Sequence, residues 1–249
     1  MTRAAHSPQS SASPLFVTTR WSVVALARSE SSPATAAALE ALCRAYWYPL
    51  YAYVRRTGRS PHDAQDLTQA FFARLLEKGY LHAADQAKGR FRTFLLIALK
   101  RFLANEWNRE QAQKRGGGQT VVQLDSEFAE NRYAAEPASA QPLDRDYERH
   151  WAVTLLDQAL AQLRVEYEAA GRQSDFDLLK EHLTAERGDI PYGNIARSLG
   201  IGEAGARSAV HRMRKRFREL FRSAIAATVS DPAEVDDEIR HVVRALASD

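Results

Sequence analysis

The densest chemistry in the sequence lies between positions 207 and 218, where Arg207, His211, Arg212, Arg214, Lys215 and Arg218 crowd together. Ala206, Val210, Met213 and Phe217 recur among them at steps of four, three and four, the spacing of one face of a helix. The cations, with Ser208, are then turned outwards. Guanidinium groups held on such a helix can bond guanine edges and phosphates in the major groove of a duplex. The residues just before it make the arrangement more specific. Pro191 to Ile201 reads as a helix ending at Leu199, a glycine at 200 able to take the left-handed conformation, and an apolar Ile201 plugging the corner before a second helix from Glu203. This is the pattern of a helix-turn-helix. An ordinary helical hairpin with a solvated basic face would carry the same charges, and the Leu199-Gly200-Ile201 corner favours the first reading.

Chemistry of other kinds finds less support. The seven histidines stand at 6, 62, 82, 150, 182, 211 and 241, with no His-Glu-x-x-His or other ligand spacing, so no metal and no cofactor is expected. Gly116 to Gly118 is followed by Gln119 and Thr120 and preceded by no strand, which excludes a phosphate-cradling loop. The single cysteine, Cys43, falls at helical spacing with Leu39, Leu42 and Tyr46 and reads as a small core residue rather than a nucleophile. The chain is therefore not read as an enzyme.

The elements that must position the basic residues are all helical in period, with no convincing alternation of a strand, so the fold class is all-α. Residues 1–15, rich in Ser, Ala and Pro, read as a disordered tail without the apolar core of a signal peptide. Thr18-Thr19 caps a short helix over Trp21 to Ala27, and Ser32-Pro33 starts another bearing Leu39, Leu42, Tyr46 and Leu50, which Pro49 kinks or splits. Ser60-Pro61-His62-Asp63 opens a helix to about Lys78, with Ala64, Leu67, Phe71, Phe72, Leu75 and Leu76 on one face. Gln65, Asp66, Gln69 and Arg74 are left for solvent or a partner. After a loop over Tyr80 to Gly89, a helix from about Phe91 to Gln111 is both apolar and basic. It carries Phe91, Phe94, Leu95, Leu99, Phe102 and Trp107 among Arg92, Lys100, Arg101 and Arg109.

From Gln111 to about Arg145 the period dissolves, and acids outnumber bases among glycines and prolines, as in a flexible acidic linker. A second helical block follows, with Trp151, Leu155, Leu156, Ala159, Leu160 and Leu163 on one face, then Phe176, Leu178, Leu179 and Leu183. A final amphipathic helix bears Val235, Ile239, Val242, Val243 and Leu246 and reads as a cap on the second block or as a regulatory segment, the cap being the reading favoured. The hydrophobic fraction of 45% allows a core, and with 26% charged residues no apolar run approaches the roughly 20 residues of a membrane span. A cytoplasmic chain is expected. The net charge is only +3, so it is the clustering of the cations that points to a polyanion.

Three motifs resemble one family. Tyr192-x-x-Ile195-Ala196-x-x-Leu199-Gly200-Ile201 is similar to the core that precedes the recognition helix in the carboxy-terminal domain of sigma factors. Asp63-Ala64-Gln65-Asp66-Leu67-Thr68-Gln69-Ala70-Phe71-Phe72 resembles the Asp-Ala-x-Asp-Leu-x-Gln-x-x-Phe motif of sigma domain two, and Gly89-Arg90-Phe91-Arg92-Thr93-Phe94-Leu95 resembles the stretch that follows it. The missing domain three and the short acidic linker resemble the extracytoplasmic-function (ECF) branch. The resemblance implies domain two over 16–111, a linker over 112–146, domain four over 147–226 and an additional helix over 227–249.

Function follows as an expectation: an alternative sigma factor that binds core RNA polymerase and directs it to promoter DNA. The resemblance implies polymerase binding by Asp63, Gln65, Asp66, Gln69 and Arg74. It implies minus-ten DNA binding by Lys88, Arg90, Phe91, Arg92, Lys100, Arg101, Asn105 and Arg109, the cations holding phosphates and Phe91 and Trp107 serving as stacking or packing groups. Minus-thirty-five binding falls to Arg207, Ser208, His211, Arg212, Arg214, Lys215 and Arg218. An anti-sigma factor or other regulator is a further expected kind of partner. Departures limit the transfer of base preference: Phe94 stands for the usual Trp, Arg101 for Asn, Asn105 for Asp, and Gly205-Ala206 for Thr-Val. A conventional repressor or activator would also use a helix-turn-helix, but it would not account for Asp63 to Phe72.

Overall fold

The computed structural model describes residues 33–76, 90–112, 126–136, 139–229 and 231–247. The amino-terminal tail, the short helix expected over 21–27, Lys88 and the loop around it, and the glycine run lie outside these residues. Among the described residues every regular element is helical, as the sequence periodicity requires. In chain order they are α1 (Pro33–Arg56), α2 (Pro61–Leu76), α3 (Phe91–Ala112), α4 (Ser126–Ala135), α5 (Leu143–Ala169), α6 (Gln173–Leu179), α7 (Tyr192–Leu199), α8 (Glu203–Ala226) and α9 (Val235–Ala247). Single 3-10 turns at Lys180–His182, Arg187–Asp189 and Pro232–Glu234 join the later helices.

α1 starts on Pro33, where a missing N–H costs nothing, and runs as one helix through Pro49 instead of splitting there. An internal proline costs about 3 kcal/mol. Tyr46, Leu50, Tyr51 and Val54 around it are all essentially inaccessible, and burying each such side chain returns about 1.5–3 kcal/mol, so packing overrides the local penalty. α2 begins as its start signal demands: the Ser60 hydroxyl accepts from the Asp63 amide at 3.1 Å and donates to the Asp63 carboxylate at 2.7 Å. Phe71 of α2 meets Phe102 of α3 edge to face, with ring centroids 5.8 Å apart.

The two cores share a helix. α5 is 27 residues long, about 40 Å, and its apolar stripe is continuous. Tyr147, Trp151, Ala152 and Leu155 enter a first core with α1, α2 and α3, whereas Ala159 and Leu163 enter a second core with α6, α7 and α8. α8 repeats the arrangement, giving Ala206, Val210 and Met213 to the second core and Ala224 and Ile225 to the first. The change of core thus falls inside α5, not in the stretch 112–146 that the composition marks as a linker.

That stretch is corrected in another respect, since it contains α4 and the first turn of α5. Among the described side chains of α4, Ala129 is buried in the first core with Tyr133 packed against it, and charges and rings add further ties. Glu130 accepts from Arg55 Nε at 2.9 Å and from the Tyr51 hydroxyl. Arg132 lies over the Tyr48 ring at 4.0 Å, and the Tyr48 hydroxyl donates to Glu136 at 2.5 Å. Arg56 donates to the carbonyls of Ser139 and Gln141 at 2.9 and 3.0 Å and pairs with the buried Asp146. A segment held through polar groups has no apolar period, which is why hydrophobicity does not reveal it.

α9 is corrected as well. It packs on α5 and α8, but its buried Val242 belongs to the first core, so it is not a cap on the second.

Candidate nucleic-acid interface

α7 ends on Leu199, and Gly200 takes φ 65° and ψ 30°, a left-handed conformation that favours glycine. The Ile201 amide closes the turn on the Ala196 carbonyl at 3.0 Å. Ile201 does not plug the corner as its apolar character suggests; it remains 41% exposed and lies along α8 over Gly205. A Cβ at 205 would stand 3.3 Å from Ile201 Cδ1, so a glycine that costs about 1 kcal/mol of helix propensity makes room for the turn.

On α8, Ala206, Val210 and Met213 are buried and Phe217 half-buried, as the spacing predicts. Arg207, Ser208, His211, Arg212, Lys215 and Arg218 are exposed. Arg207, His211, Lys215 and Arg218 follow one another at four, four and three residues, a stripe about 16 Å long. Arg207 lies 4.6 Å over the Tyr192 ring and 3.8 Å from Glu203, contacts that orient a side chain still 63% exposed. Arg214 is a correction. It is half-buried and donates to the His182 carbonyl at 2.9 and 2.6 Å and to that of Ala185, capping the turn before α7. Its position one residue past Met213 puts it at the border of the buried face.

The outward face of α2 is polar: Asp63 and Asp66 are exposed and Gln65 and Gln69 half-buried. Asp66 is 3.3 Å from His62 Nδ1, and half-buried Arg74 is 4.0 Å from Glu106 of α3.

On α3 the expected DNA-binding residues divide. Arg101, Asn105 and Arg109 are exposed, Arg109 being 3.7 Å from Glu106. Trp107 is 54% exposed with the Arg59 guanidinium 5.4 Å from its ring centre, and so is available for stacking. Phe91 is fully buried against Tyr46 and is a core residue. Arg92 is only 3% exposed: its Nε is 2.7 Å from Glu148, its Nη1 pairs with Glu238, and its guanidinium lies 4.4 Å over Trp151. The reading of Phe91 as a stacking group and Arg92 as a phosphate ligand is thus overturned for this arrangement of the chain. Position 92 lies three and seven residues before buried Leu95 and Leu99, on the inner stripe of the helix. Arg90 Nη1 is 2.5 Å from the same Glu238, and Lys100 Nζ is 2.7 Å from Asp144.

The acids that engage these cations come from α5 and α9, and the sequence reading missed them. Glu238 is fully buried. Burial pushes the Glu148 carboxyl up, but the hydrogen bond from His241 at 2.8 Å and the charge of Arg92 outweigh it and hold that group below the usual carboxylate range. One signal was visible: Glu238 stands at the register of Val235 and Val242, a carboxylate on an apolar stripe, which demands a cationic partner.

Fold and site together define an all-α protein with two basic helices, one presenting an exposed stripe of cations and one with several of its cations engaged by acids of the same chain. Residues 42–113, from the middle of α1 to the end of α3, match the family model described as Sigma-70 region 2, which supports a place for the chain in the sigma-70 superfamily. In that superfamily the region serves in RNA polymerase binding and promoter melting. No curated protein and no solved structure matches the chain. Among the described residues no helix is long and apolar enough to cross a membrane.

Proposed function

We propose that the chain is an alternative sigma factor of the ECF type that binds core RNA polymerase through α2 and α3 and reads the upstream promoter element with α7 and α8 as a helix-turn-helix. The match over residues 42–113 carries this reading, because it covers the helices that bear Asp63, Asp66 and Gln69 on an open polar face. The exposed cations of α8 support the second half: Arg207, His211 and Arg212 lie toward the start of the helix, where base edges are met, and Lys215 and Arg218 further along, where phosphates are met. Arg214 is withdrawn from that set because it caps the protein's own turn. On α3, Arg101, Asn105, Arg109 and Trp107 form the face offered to an opened minus-ten strand. The chain acts in the cytoplasm and performs no covalent chemistry of its own.

Gel shifts with and without core polymerase test this. Promoter binding that requires core is expected, and Asp66→Arg with Gln69→Ala should weaken retention on core while leaving the helical circular-dichroism signal unchanged. Retention equal to that of the parent chain would refute the docking face. Tight duplex binding by the chain alone would make it a conventional regulator.

A further inference from the structure

The ion-pair cluster under α9 joins that helix to the start of α3. Glu238 bridges Arg90 and Arg92, and Glu148 of α5 holds Arg92 from the other side. Two guanidiniums thus face two carboxylates, with His241 of α9 against Glu148 and no net charge from the four ions. Remove α9, and the same two guanidiniums face Glu148 alone. The site then carries an uncompensated positive charge, the condition that draws in another anion.

α9 is also built to leave. Its buried side chains are Val235, Glu238 and Val242, and a groove of about 420 Å³ bordered by Asp146, Glu148, Arg149, His241 and Arg244 runs beside its contact with α5. A further tie, Arg222 to Asp236 at 2.6 Å, is exposed at both ends and so worth little. A buried ion cluster adds little net stability because desolvation nearly cancels attraction, yet it strongly favours one partner geometry over a bare gap. Such a contact suits exchange of one anion for another.

We propose that α9 is a displaceable latch: the Glu238 carboxylate occupies Arg90 and Arg92 in place of a DNA phosphate, so the minus-ten surface stays closed until α9 is drawn away. This rests on the reading of α3 given under Proposed function. It adds an internal competitor, covalently attached, whose effect on DNA affinity is set by the fraction of time the latch is open.

Glu238→Gln keeps the shape of the side chain and removes its charge; a chain ended after Val229 removes the helix. Binding of a fluorescein-labelled mixed-sequence single-stranded DNA would be followed by anisotropy, and the exchange of α9 amides by mass spectrometry. Both variants should bind about tenfold more tightly if the latch is closed roughly nine parts in ten. Arg90→Ala added to Glu238→Gln should erase the gain, and α9 amides should exchange faster in Glu238→Gln than in the parent. Equal affinity of parent and variants, a gain that survives Arg90→Ala, or unchanged exchange of α9 would each overturn the latch and leave the sigma-factor reading intact. Absence of DNA binding in every chain, with core polymerase present, would overturn both.

Discussion

α3 and α8 are both long helices rich in arginine, yet they treat their cations in opposite ways. α8 turns one face to the second core and leaves Arg207, His211, Arg212, Lys215 and Arg218 to solvent, while Arg214 is drawn onto backbone carbonyls and Arg216 and Arg222 pair with Glu166 and Asp236. α3 buries a comparable face, with Phe91, Leu95, Leu96, Ala98, Leu99 and Phe102, but its cations at 92 and 100, with Arg90 just before it, meet Glu148, Asp144 and Glu238. A basic residue on the outer face of a helix is free for a partner. One on the packed stripe, as Arg92 is, must find an acid within the chain or leave a charge unpaired in a low-dielectric setting.

The largest expected effect tests that difference directly. Arg92→Ala should destabilise the fold by about 2–3 kcal/mol, because Glu148 loses a charged hydrogen-bond partner and Trp151 the cation over its ring. Arg212→Ala, on the exposed face of α8, should move stability by no more than about 0.5 kcal/mol. Urea unfolding of the two variants measures both, and similar losses would break the comparison. Within α8 the same logic separates neighbours. In holoenzyme, Arg207→Ala should cost about 1–3 kcal/mol at one promoter position, whereas Lys215→Ala should weaken all promoters alike and flatten the salt dependence by about one unit. Identical preference profiles for Arg207→Ala and the parent chain would remove Arg207 as a base reader. Arg214→Ala should cost stability, about 1 kcal/mol for its carbonyl contacts, and leave promoter preference unchanged. A changed preference would return Arg214 to the DNA-facing set.

The contrast also marks how far sequence reasoning reaches. The all-α class, the cap at Ser60, the left-handed turn at Gly200 and the inward face of α8 follow from local periodicity and backbone chemistry, and each is where the pattern puts it. The sigma-70 resemblance at Asp63 to Leu95 is likewise borne out by the match over residues 42–113. What escaped is long-range and polar. α4 is secured by Glu130 to residues 75 and 79 positions away, and Arg92 meets an acid 146 positions later. Hydrophobic period carries no trace of such pairings, because a charge on a surface helix and a charge awaiting a distant counter-ion look alike in a sequence.

The smallest expected effect is one of acidity. Three carboxyls tie helices of the first core together: Glu130 and Glu136 join α4 to α1 and α5, and Glu148 lies beneath α9. The hydrogen bond from Arg55 holds Glu130 below its ordinary value of 4.5 against the opposing effect of burial, and Tyr51 adds to it. Burial alone would raise Glu136, but the hydrogen bonds from His150 and Tyr48 and the charge of Arg132 leave it lowered too. A carboxyl whose value falls on folding contributes fully above the unfolded value and loses its contribution as pH drops through the folded one. Stability from these groups should therefore be unchanged between pH 8 and about 5 and decline below about 4.5, by under about 1 kcal/mol for each partly exposed pair. Glu130→Gln should remove part of that decline, whereas Glu203→Gln, whose carboxylate is 3.8 Å from an exposed Arg207, should leave it in place. Urea midpoints taken from pH 7 to pH 3 for the three chains decide the matter. A parent and a Glu130→Gln chain that fall in parallel would show that the α4 contact is not what acid releases.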